Sequence, residues 1–156
     1  MQGVRTAIAQ AQSTHEYPTP APPRQSAAGG SPTAVAAVDA FAAAYVNWTA
    51  QSVSKDMQQL AARSVGQARS AMELAAAQTA GDYELAQGGI ANVGTVEAIA
   101  RLDRQPDHYI VVTRELTTAT ATTAYEGLAP AWHLTRATVT RLATGGWVVS
   151  GWQPEN

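Results

Sequence analysis

The order of residue patterns along the chain predicts an α+β fold, with three N-terminal helices followed by an antiparallel sheet of about four to five strands. Two observations carry this. Residues 34–80 space their large apolar side chains at helical intervals, whereas residues 108–153 are rich in β-branched and aromatic residues. Between them stand Gly88-Gly89 and Asn92-x-Gly94, punctuation that separates the halves. Helices first and hairpins last is the pattern of helices packed on one face of a sheet. At 156 residues and 46% hydrophobic content the chain supports one domain with a real core. Much of that content is alanine, so the core leans on four tryptophans, five tyrosines and Phe41.

Residues 15–34, HEYPTPAPPRQSAAGGSPTA, hold Pro18, Pro20, Pro22, Pro23, Pro32 and the pair Gly29-Gly30. Proline removes backbone donors and favours extended chain, so residues 1–31 read as a flexible N-terminal segment and semi-rigid tether, and 32–156 as the single domain. A proline-rich docking peptide is the other meaning of such a stretch.

The first helix is expected from a Ser31 cap and Pro32 to about Thr49, with Val38, Phe41, Tyr45 and Trp48 forming one stripe. A second, shorter helix starts at Ser52 or Ser54 and presents Val53, Met57 and Leu60. A third runs from Ser64, aligns Val65, Ala68, Met72 and Ala75, and stops near Ala80 before Gly81-Asp82. Residues 95–102 fit either helix or strand and are assigned as strand. Residues 108–118 (HYIVVTRELTT) and 132–142 (WHLTRATVTRL) are strands. Thr144-Gly145-Gly146 turns the chain into a last strand over 146–153.

The formal charge of -2 lacks the basic excess that nucleic-acid backbones attract, so no nucleic-acid partner is expected. Without cysteine there are no disulfides, thiolate nucleophiles or zinc–thiolate sites. No apolar run approaches the ~20 residues that span a bilayer. Residues 1–14 do not read as a signal peptide, although a chain cut free of a natural anchor would look the same. A membrane is therefore expected as a partner only through an anchor outside this chain.

Nothing spells out a reaction. Histidines 15, 108 and 133 lack metal-ligand spacing, and G-x-S-x-G, Walker and G-x-G-x-x-G motifs are missing, so no catalytic set, metal or cofactor is assigned. His133 could act as a general base beside Tyr45, Trp48, Asp107 or Glu126, or could simply sit on a wet strand face. Tyr45, Trp48, Trp132 and His133 are the candidate lining of any cavity. Trp147 and Trp152 lie five apart, hence on opposite strand faces, which makes them candidates for one core and one interface position. The sequon Asn47-Trp48-Thr49 falls in an expected helix and reads as a chance match.

The stretches AVDAFAAAYVNWT, GGIANVGTVEAIA and AWHLTRATVTRLATGGWVVSGWQP resemble the nuclear-transport-factor-2-like superfamily, whose cystatin-like cone packs helices into a curved sheet. More narrowly they look like extracytoplasmic domains of TcpC-type conjugation proteins of actinobacteria and other Gram-positive bacteria, related in fold to the assembly component of type IV secretion systems. The resemblance implies a membrane-anchored, linker-tethered module that associates with itself or with other machine parts at the extracytoplasmic face. Enzymes of the same superfamily, isomerase-like and cyclase-like, place an Asp, Glu or His at the cone's mouth. No full set of these matches here, so a non-enzyme is favoured and a small-molecule binder or enzyme is the alternative.

Overall fold

The computed structural model describes residues 25–155. Its elements run α1 (Ala34–Val46), β1 (Trp48–Thr49), α2 (Val53–Ala62), α3 (Gly66–Thr79), α4 (Tyr83–Gly88), β2 (Ile90–Arg101), β3 (His108–Ala119), β4 (Ala131–Arg141) and β5 (Trp147–Pro154). The five strands form one antiparallel sheet in the order β1-β2-β3-β4-β5. The helices fill its concave side, which gives the expected α+β cone.

Local chemistry sets the helix ends. Thr33, rather than Ser31, caps α1 by accepting from the Ala36 N–H at 3.1 Å. Ser31 instead pairs with Trp147 through two backbone hydrogen bonds of 2.9 and 2.8 Å. α1 ends three residues earlier than the stripe suggested, because the Asn47 carboxamide takes another job. It donates to Ala43 O and Gly94 O, and accepts from Gly94 N. The sequon Asn47-Trp48-Thr49, expected inside a helix, thus falls just after it, at an exposed position. Trp48 and Thr49 then join the sheet opposite Asn92 and Ala91. α4, not expected from the sequence, is held by the Asp82 side chain on Leu85 N and closed by Gly89 in the left-handed region (φ 59°).

Curvature comes from two bulges, one between Val96 and Ala98 in β2 and one where β4 meets β5 at Thr138/Val139. Into the concavity pack Val38 and Phe41 of α1, Met57 and Leu60 of α2, and Ala68 and Met72 of α3, against Tyr109, Val111, Val139 and Trp152. Trp152, at 2% exposure, is the largest fully buried side chain. Phe41 tilts against it at 4.8 Å between centroids, and Tyr45 meets it edge-on at 5.2 Å.

The outer edge of β5 is closed by three different devices. Ser31 covers Trp147, Val65 N donates to Val149 O, and the Gln67 amide spans Trp152 N and O at 2.6 and 3.1 Å. A side-chain amide here does the work of a neighbouring strand. Residues 25–31, read as the end of the tether, thus lie against the domain, with Ala28 N also bonded to Ala62 O. The rest of that tether, and His15 with it, lies outside the described residues.

Candidate functional site

Strand alternation puts Tyr109, Val111, Thr113, Glu115 and Thr117 on the concave side of β3. The first two are core, but the last three become polar as the cone opens, and they meet Asn92 from β2 and His133 from β4. Asn92 is buried at 6% exposure. It donates to Val46 O (2.7 Å) and Glu115 Oε1 (3.0 Å), and it accepts from Thr117 Oγ1 (3.0 Å). Thr113 Oγ1 donates to the other Glu115 oxygen at 2.8 Å. The carboxylate is thereby held by neutral donors on both oxygens, in a network that ties the end of α1 to β2 and β3.

His133 pairs with Thr113 across the β3–β4 ladder, which brings its Nε2 to 3.9 Å from Glu115 Oε2. The two side chains are 39% and 18% exposed, so the contact is a solvent-screened pair worth little by itself. Tyr45 looks into the same region from α1. Burial first, and the Glu115 carboxylate second, raise its hydroxyl above the ordinary 10.0, while the Trp152 indole N–H holds it down in part. That N–H is buried without a well-aligned acceptor, so its approach to Tyr45 falls short of a full hydrogen bond.

Among the expected cavity residues, the fold brings Tyr45 and His133 to one side of the sheet, and Trp48 packs partly buried at its margin. Trp132 points the other way. It pairs with Arg114 on the convex face, is 59% exposed, and carries the Arg114 guanidinium 5.9 Å from its ring centre. Asp107 and Glu126, considered as partners of His133, are not bonded to it; the partner is Glu115, which the sequence reading passed over. The two candidate interface tryptophans, expected on opposite faces, both register on the concave side, because the bulge at Thr138/Val139 sets Trp147 opposite Arg141 and Trp152 opposite Ala137. Trp152 is core, and Trp147 packs half-buried against that core beside a surface cleft. This cleft, about 400 Å³, lies among residues 28–31, α1, the end of α2 and the start of β5. Its lining includes Ala37, Ala40, Phe41, Ala44 and Leu60, and Arg63 is its one charged side chain among the described residues. No cluster of three or more His, Cys, Asp or Glu among the described residues could hold a metal ion.

No family model and no curated protein matches this sequence. Among solved structures the chain is similar to the VirB8 protein of Agrobacterium tumefaciens, at TM-score 0.55 and 12% identity, over 78% of this chain and 88% of that one. The likeness bears out the expected fold, helices packed into a curved antiparallel sheet. At this identity it speaks for the fold. No helix among the described residues is long and apolar enough to cross a membrane.

Proposed function

We propose that this domain is a non-enzymatic assembly or scaffold module of a bacterial conjugation- or secretion-type envelope complex, working through protein–protein contacts. The observation that carries the reading is the filled concavity. Where a cone enzyme of this superfamily would keep a pocket, Trp152, Phe41, Met57 and Met72 pack into a continuous core. The cone shared with VirB8 supports the same reading. In it, the proline-rich residues before 25 act as a tether, and the protein stands at the extracytoplasmic face of the membrane. Chemical crosslinking and light scattering of the tethered protein, joined to a membrane anchor, test it. Self-association or capture of envelope components is expected, and a strictly monomeric protein that captures nothing contradicts it.

One observation favours a second reading, a small-molecule binder or isomerase-like enzyme. Glu115, His133 and Tyr45 converge at the open part of the concave side. A histidine beside a carboxylate has the composition of a proton-transfer pair. Against this, both Glu115 oxygens are already committed to Asn92 and Thr113, and the 400 Å³ cleft lies elsewhere, without convergent acid–base groups. Ligand titrations followed by the His133 imidazole signals separate the readings: the assembly account expects no small polar ligand to perturb them.

A further inference from the structure

We propose that the half of the sheet formed by the start of β2, the end of β3 and the start of β4 is a docking surface for a cationic amphipathic segment of a partner protein. The proposal rests on the assembly reading and names the face through which it operates.

The first observation is apolar exposure on a face that antiparallel sheets usually keep polar. Val93 and Trp132 are each 59% exposed, and Leu128, in the loop just before β4, is 52% exposed. Leu116 pairs directly with Val93, and Arg114 pairs with Trp132, so these side chains share the convex side of three adjacent strands. Exposed apolar groups gathered in this way mark interaction sites. An exposed tryptophan with an arginine over its ring is also the composition of a binding hot spot.

The second observation is charge. Apart from the concave Glu115, residues 80–97 and 114–135 around this half contain Asp82, Glu84, Glu97 and Glu126 against a single basic residue, Arg114. Glu84, Glu97 and Glu126 are exposed, and Arg114 is engaged with Trp132. The opposite half of the sheet reverses the balance, with Arg101, Arg104 and Arg141 against Asp103 and Asp107, while Arg136, between the halves, is paired with Glu155 at 3.5 Å. An apolar centre with an acidic rim is complementary to aliphatic or aromatic side chains flanked by Lys and Arg. The same acids repel an anionic membrane surface. The chain's own leader does not fit the description, because residues 1–24 carry only Arg5 and Arg24 as basic side chains. It also reaches the domain at the other end of the sheet, where Ser31 pairs with Trp147 at the β4–β5 turn.

The test uses a 14-residue helix-forming Leu/Lys peptide, its Leu/Glu counterpart and phosphatidylglycerol-containing vesicles, titrated against the full chain. The Leu/Lys peptide is expected to bind, to weaken as salt is added, and to lose on the order of tenfold in affinity or more with Trp132→Ala. Glu126→Lys weakens it too and raises affinity for the Leu/Glu peptide, whereas the same charge reversal at the far end of the sheet, Asp103→Lys, does neither. Arg104→Ala, at the far end, leaves binding unchanged. Because Trp132 and Glu126 are exposed, thermal melts should confirm that these variants fold. Equal binding by Trp132→Ala, preference for the Leu/Glu peptide, or Trp132-dependent vesicle binding overturns the proposal. A domain that captures envelope components with Trp132→Ala unaffected, and ignores the peptide, overturns this surface while leaving the assembly reading in place.

Discussion

Glu115 occupies a position where the alternation of Tyr109, Val111 and Thr113 would otherwise continue the core, and it is retained there by Asn92 and Thr113. Removing one partner from such a network strands the rest. Asn92→Ala is expected to cost about 1–3 kcal/mol, since Val46 O and Glu115 lose a buried donor and Thr117 loses its acceptor. Urea denaturation measures it. Tyr45 adds a pH dependence whose sign is fixed. Its folded-state pKa is raised, so the neutral hydroxyl's contribution is complete below the unfolded value near 10.0 and is lost as pH rises past it. Stability should therefore fall more steeply above pH 10 in the natural protein than in Tyr45→Phe; parallel alkaline limbs would contradict the assignment. At this scale the sequence was only half legible. Strand alternation alone places Glu115 in line with three inward residues, whereas the approach of Asn92 needs the β2–β3 register, which no local pattern states.

The long elements announce themselves and the short ones do not. The three helices and the last three strands were readable because each repeats its period several times. β1 has two residues and α4 six, too few for a period, and α1 stops early because Asn47 bonds a strand that is 47 positions away in sequence. Close approaches between elements also escape local reading. A Cβ on Gly94 would lie 2.7 Å from Val46 Cγ2 and 2.8 Å from Val46 Cβ. Gly94→Ala is thus expected to destabilise by about 1–3 kcal/mol through overcrowding of α1 against β2, a loss that thermal denaturation would register. At the other edge, Gln67→Ala removes both bonds to Trp152 and reopens the β5 ladder. Its expected signature is a loss of about 1–2 kcal/mol together with faster aggregation, monitored by light scattering. Were Gln67→Ala as soluble and stable as the natural protein, the edge-closing role would be wrong.

Across the whole molecule, the proposed function divides between an interior that is structural and an exterior that would meet partners. The packed side of the sheet holds Trp152 among Phe41, Tyr45 and the helix methionines, while the convex side carries exposed Trp132 and Val93. The sequence pointed to aromatic residues at the final strands as the interface, but parity and burial assign Trp152 to the core and leave Trp132 outside. Complementation of a strain lacking this gene, with folded variants of each side, tests the division most directly. The account predicts that Trp132→Ala combined with Glu126→Lys abolishes complementation, whereas His133→Ala combined with Glu115→Gln restores it in proportion to folded protein. Loss of function with the interior pair, and full function with the exterior pair, would contradict it and return the concave residues to an enzymatic role.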